Sequence, residues 1–164
     1  MYLKKIIPLL GLLWLSFSSS AQEVANISDP RLPIKLPTVK GDSLSLASLK
    51  GKVVLLDFWA SWCIPCRAAN KHLVKLYDKY KSKGFEIFSV SVDEEKKSWE
   101  KAIAKDKITW LQVNDPRGVM AQTIIDWNVS VLPTTFLINK KGDVIAMDLE
   151  GKALDQAIRK LLEE

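Results

Sequence analysis

The sequence is poor in the side chains from which metal sites and disulfide scaffolds are built. Its only cysteines are Cys63 and Cys66, and its only histidine is His72. A structural zinc site takes four ligands, so two thiols and one imidazole do not make one. His72 stands six residues after Cys66, beside Lys71 in a helical stretch, and reads as a surface residue rather than a ligand or a base. No cysteine precedes Cys63, which excludes a lipid anchor on a leader thiol. Charge of one sign is also scarce. The formal net charge is +5, and setting aside Lys4 and Lys5 leaves +3. No basic block is interleaved with stacking aromatics, which argues against a nucleic-acid partner. Internal repeats are absent. What remains is a chain of 164 residues, 48% hydrophobic, enough for one domain with a real core and too short for two.

The longest apolar run also falls short of what a spanning helix needs. Ile6 to Phe17 is broken only by Pro8, Gly11 and Ser16, and a membrane span takes about 20 apolar residues. Lys4 and Lys5 precede it, and Ser18, Ser19, Ser20 and Ala21 follow, with Ser19 and Ala21 in cleavage-site positions. Residues 1–21 are therefore expected to be a secretory signal peptide, cut between Ala21 and Gln22. The alternative is an uncleaved N-terminal anchor. Either places the chain outside the cytoplasm, in the periplasm or at the outer face of the membrane. In such an oxidising compartment two cysteines pair or do redox chemistry. Linking residues three apart closes almost no loop, so stability is a poor reason for this pair.

Residues 22–45 read as a polar, Pro-rich lead-in ending in a short hairpin from Val39 to Leu46 around Gly41–Asp42. Residues 46–164 read as the folded domain. Val53 to Trp59 is apolar on both faces apart from Asp57, as in a strand covered on each side. A helix is expected from about Cys63 to Lys83, with apolar positions at three- and four-residue spacing, ended by Gly84. Strand Phe85 to Val92 follows, then a helix at Lys97 to Lys105, a short strand at Trp110 to Val113 and a helix at Val119 to Trp127. Thr134 to Ile138 and Val144 to Met147 form a hairpin, and a helix from about Ala153 to Leu162 closes the chain. Alternation first and a hairpin last predict an α/β fold with a mixed central sheet and helices on both faces.

Cys63–Ile64–Pro65–Cys66 falls where a buried strand ends and a helix begins. The first turn of a helix offers free N–H groups and the positive end of the dipole, so a Cys63 thiolate is stabilised there and becomes the nucleophile. Cys66, on the same helical face, reaches back to close a disulfide. Pro65 sits where its missing N–H costs least. Trp62 can shield the pair from bulk water. Asp57 interrupts an apolar strand, and burial should raise the proton affinity of its carboxyl group. A carboxyl group titrating near neutrality can take the proton from Cys66. Val131–Leu132–Pro133–Thr134 precedes an apolar strand and holds a proline that could be cis.

Trp59-Ala60-Ser61-Trp62-Cys63-Ile64-Pro65-Cys66-Arg67 resembles the active-site segment of thioredoxin-like proteins. More narrowly, the chain resembles the exported TlpA/ResA-type thiol–disulfide oxidoreductases. Supporting stretches are Gly51 to Trp59, Gly84 to Asp93, Leu132 to Ile138 and Lys141 to Ile145. The resemblance implies a thioredoxin-like fold with an N-terminal hairpin extension and a strand-helix insertion that includes Asp115 to Trp127. It implies that Pro133 is a cis-proline packed against the disulfide, that Leu132 pairs with an extended substrate, and that Asp57 is the family's buried acid. Trp62, Ile64, Pro65, Leu132 and Pro133 are the candidate substrate contacts. Two positions depart from the thioredoxin pattern. Lys71 stands where a proline often kinks the helix, and Ser89 stands where a lysine neighbours the acid. The second leaves Asp57 without that partner.

The expected activity is reduction of disulfides in exported proteins, such as the haem-site cysteines of apocytochromes c. No cofactor is expected. A thiol electron donor in the membrane would recharge the pair, and a monomer is the default. A disulfide-introducing oxidase would use the same residues at another potential. A peroxidase of the peroxiredoxin type would place Thr or Ser three residues before its cysteine, where this chain has Ala60. A peptide-binding module without catalysis would not need both thiols.

Overall fold

Val53–Trp59 (β3) is the strand on which the molecule is assembled, and every residue of it is buried. It pairs in parallel with Phe85–Ser91 (β4) and antiparallel with Thr134–Ile138 (β6). Leu111–Asn114 (β5) lies parallel outside β4, and Val144–Met147 (β7) lies antiparallel outside β6. The sheet order is therefore β5-β4-β3-β6-β7. The computed structural model describes residues 25–30 and 32–164, so the signal peptide expected over residues 1–21 lies outside the described residues. Among the described residues, no helix is long and apolar enough to cross a membrane.

β4, like β3, is buried along its whole length, so both faces of the sheet's centre are covered. Removing such side chains as Phe58, Trp59, Phe85 and Phe88 from water stabilises the fold by about 1.5–3 kcal/mol each. Helix Ile64–Tyr80 (α1) follows β3, and a 3-10 turn at Lys81–Lys83 ends at Gly84, whose φ of +95° stops the helix before β4. Helix Lys96–Asp106 (α2) joins β4 to β5 and touches α1, and helix Gly151–Glu163 (α4) touches β3.

Two stretches differ from the sequence expectation. The hairpin spans Lys35–Pro37 (β1) and Ser43–Ser45 (β2), with the turn at residues 38–42, so its first strand lies earlier than Val39. Pro37 hid it, yet this strand pairs on one side only within its two-stranded sheet, where a missing N–H is tolerated. The helix expected at Val119 to Trp127 is broken into a 3-10 turn at Gly118–Met120 and a short helix, Gln122–Asp126 (α3). Ala121, at φ −59° and ψ 139°, is extended and separates them.

Two described residues of the lead-in reach opposite edges of the sheet. Asn26 bridges to Asp143 beside β7, and Thr38 bridges to Val113 on β5. Ile27 and Ile34 are buried in the common core.

Candidate active site

Strand direction gathers the site at one end of the sheet. β3, β4 and β5 run in parallel, so their carboxyl ends lie together. β6 runs the other way, so its beginning joins them: Phe58 pairs with Thr134, Trp59 with Ser91, and Ser91 with Asn114. Cys63 follows β3 there, and Leu132 and Pro133 precede β6. Open α/β sheets bind their ligands at this edge.

Cys63 and Cys66 form a disulfide, with S–S 2.02 Å and Cα–Cα 5.3 Å. Cys63 is the N-cap of α1, and the Cys66 N–H donates to its Sγ at 3.2 Å. Pro65 lies in the first helical turn. The same N–H geometry stabilises a sulfur anion when the bond is open. Arg67, next in the chain, ties this turn to α2. Its guanidinium donates to both carboxylate oxygens of Asp106, with Nη2 to Oδ1 at 2.7 Å, while Asn70 Nδ2 donates to Asp106 Oδ2 at 2.9 Å. Burial alone would raise the proton affinity of Asp106, but the bonds from Arg67 and Asn70 hold its carboxyl below the ordinary value.

An apolar groove of about 570 Å³ opens beside the disulfide. Trp62, Cys63, Ile64 and Pro65 form one wall, and Val119, Ile124 and residues 129–132 form the other. Trp62 is 60% exposed and Ile64 81%, while Cys63 and Cys66 are buried. The Leu132–Pro133 peptide is cis. The far wall is held by Asp115, which is buried at the end of β5. It accepts two bonds from the Arg117 guanidinium, and the Thr123 hydroxyl donates to it at 3.2 Å.

Asp57 is 3% exposed and faces Ser89 across the β3–β4 pair. The Ser89 hydroxyl donates to Asp57 Oδ2 at 2.7 Å, and the Trp110 indole N–H donates to Ser89 Oγ at 2.8 Å. Burial pushes the Asp57 carboxyl up to about 6, against the opposing pull of the Ser89 bond. No lysine stands opposite Asp57, as the sequence implies, and its partner is instead the Ser89 hydroxyl. A hydroxyl is long enough to bond directly across paired strands, and the indole, which can only donate, turns its proton toward the carboxylate. The polar row extends further. Gln112, opposite Ser89 on β5, accepts from Trp59 Nε1 at 3.1 Å and Trp99 Nε1 at 3.4 Å. His72 lies exposed on α1.

Sequence reasoning passed over Asp93, Asp106, Trp110 and Gln112. Their signal was faint: Asp93 and Asp106 lie at or just past the end of a strand or helix, where an acid is ordinarily exposed, and Trp110 and Gln112 carry no mark of the partners that the sheet brings to them.

A disulfide capping a helix at the carboxyl edge of this mixed sheet defines a thioredoxin-like protein built around a dithiol–disulfide pair. The model of the AhpC/TSA family matches residues 27–147. The chain is 40% identical over 109 residues to the thiol-disulfide oxidoreductase ResA of Geobacillus kaustophilus, a match over 66% of this chain and 61% of that protein, so it spans less than two thirds of that relative. It is 32% identical over 126 residues to the ResA of Bacillus thuringiensis subsp. konkukian, over 77% of this chain and 70% of the relative. The crystal structure of the thioredoxin domain of a thiol-disulfide oxidoreductase from Bacteroides vulgatus superposes with a TM-score of 0.76 at 33% identity, covering 85% of this chain and 99% of that one. The chain belongs to the AhpC/TSA family and stands within it among the ResA-type thiol–disulfide oxidoreductases.

Proposed function

We propose that this thiol–disulfide oxidoreductase works as a dithiol reductase on disulfides of exported proteins, with the cysteines of apocytochromes c among the candidate substrates. The observation that carries the reading is the Cys63–Cys66 pair at the head of α1, opening on an apolar groove. In the reduced protein the Cys63 thiolate attacks one sulfur of a substrate disulfide. That S–S bond breaks, one substrate sulfur leaves as a thiolate that takes a proton from water, and a mixed disulfide remains. Cys66 then gives its proton to the Asp57 carboxylate and attacks Cys63 Sγ. The second substrate thiol leaves, and the Cys63–Cys66 bond closes. Two electrons have passed to the substrate. A dithiol donor in the membrane returns them.

The residues between the cysteines support this direction. Ile64 and Pro65 bring neither charge nor imidazole, so the Cys63 thiolate lacks the added stabilisation of strong oxidants, whose potentials lie near about −120 mV. Trp62, Ile64, Pro65, Leu132 and Pro133 serve as the substrate contacts, Leu132 by its backbone. Ala60 supplies no hydroxyl for a peroxidase. The test is reduction of insulin disulfides by the dithiol form, together with fractionation of cells expressing the full chain. Insulin reduction that is lost in Cys63→Ser, by a protein found outside the cytoplasm, supports the reading. An unchanged Cys63→Ser variant, or a chain retained in the cytosol, contradicts it.

A further inference from the structure

Asp93 stands just beyond β4, is 2% exposed, and takes no part in the exchange steps above. Its carboxylate accepts three hydrogen bonds. The Ser61 N–H reaches Oδ2 at 2.9 Å, the Ser61 hydroxyl reaches Oδ1 at 2.6 Å, and the Ser91 hydroxyl reaches Oδ2 at 2.8 Å. Two of the three come from the residue two places before Cys63. The other polar group of that backbone is held as well, because Arg67 Nη1 donates to the Ser61 carbonyl at 2.9 Å. Asp93 is itself fixed: its N–H donates to Ser91 Oγ at 3.0 Å, and Asn114 Nδ2 donates to its carbonyl at 2.8 Å.

Ser61 is thus pinned between the end of β4 and the first turn of α1. Cys63 is pinned by its N–H bond to the Ala60 carbonyl at 3.2 Å and by its place as helix cap. Trp62, the exposed residue between them, is a wall of the apolar groove. It also borders a second groove of about 550 Å³ on its other side, which includes Asp93, Glu94 and Ser98. A buried carboxylate is costly unless its bonds are charge-assisted and complete. Here those bonds converge on the backbone that sets where Trp62 stands.

We propose that Asp93 is a positioning residue that fixes the Ser61–Trp62–Cys63 turn, so that Trp62 presents a protein substrate to the Cys63 sulfur. This rests on the exchange activity proposed above. A small disulfide reaches Cys63 without the Trp62 wall, so the two kinds of substrate separate positioning from general stability.

The experiment compares insulin, a protein disulfide, with oxidised glutathione, a small one, for the reduced full chain and its variants. Asp93→Ala is expected to lower kcat/KM for insulin about tenfold, chiefly through KM, and to leave oxidised glutathione within about twofold. Asp93→Asn keeps an oxygen acceptor for the Ser61 N–H and recovers most of the loss. Ser61→Ala keeps the amide bond, loses the hydroxyl bond, and falls between. An equal loss for both substrates, or no loss for either, overturns the proposal. If Asp93→Ala does not fold, a Ser61→Ala variant matching the parent on insulin overturns it, and a selective rise in KM supports it. A parent that reduces neither probe overturns the exchange reading and this inference together, whereas an active parent confines any failure to Asp93.

Discussion

The Ser89 hydroxyl donates to Asp57 across paired strands at 2.7 Å, and it is the hydrogen-bond partner that holds down the proton affinity of this buried carboxyl group. Asp57 still titrates at about 6, well above an exposed aspartate, because burial outweighs the bond. The folded state therefore binds more protons than the unfolded chain between about pH 4 and pH 6, and stability falls as pH rises through that window. Above it the ionised carboxylate costs about 2–3 kcal/mol. Asp57→Asn is expected to stabilise the protein at pH 7.5 relative to its effect at pH 4, as read by urea denaturation at the two pH values. An equal effect at both would show that Asp57 titrates normally.

The same variant should slow closure of the Cys63–Cys66 bond while leaving the first attack by Cys63 nearly unchanged. Loss of a positioned proton acceptor costs about 100-fold or more. Stopped-flow release of the second substrate thiol reads this step. In the parent, its rate should climb as Asp57 ionises through about pH 6. A rate independent of pH there, and unaltered by Asp57→Asn, removes Asp57 from the mechanism.

Ser89→Ala deletes the one bond that lowers the Asp57 titration, so the midpoint of that pH profile should move upward from about 6. Trp110→Phe frees the Ser89 proton to turn elsewhere and should move it the same way, but less. A downward shift in either variant contradicts the arrangement.

Cys66→Ser should accumulate a mixed disulfide between Cys63 and exported proteins, recoverable under non-reducing conditions and identifiable by mass spectrometry. Cys63→Ser should trap nothing, because Cys66 is almost fully buried. Equal trapping by both variants would mean that the two sulfurs are not divided into an attacking and a resolving thiol.

Val131→Asp places a charge on the apolar wall facing Trp62 and Ile64. KM for insulin should rise about tenfold with kcat nearly kept, since desolvating a charge opposes docking of an apolar segment. An unchanged KM would place the substrate elsewhere.

Much of this was legible in the sequence, and the pattern of successes is physical. Val53–Trp59 and Thr134–Ile138 stand out because strands buried at a sheet's centre are continuous apolar runs with turns on either side. Cys63, Cys66 and Asp57 were legible because each is conspicuous against its surroundings: two lone thiols, and an acid inside an apolar strand. The break at Ala121 was not, since an extended alanine has no signature in a stretch whose composition suits a helix. The absence of a lysine opposite Asp57 is legible, but the hydroxyl bond from Ser89 is not, because the strand register that sets the two face to face is a property of the sheet. Asp93 was invisible for the same reason. An aspartate after a strand ordinarily caps a turn in water, and only the parallel pairing of β3 with β4 brings it to Ser61.

The most direct test of the account is the reduction potential of the Cys63–Cys66 pair, measured by equilibrating the full chain with glutathione or dithiothreitol buffers. A value near the thioredoxin end, about −270 mV, is the result the reductase reading predicts. A value near about −120 mV would contradict it and make the protein a donor of disulfides.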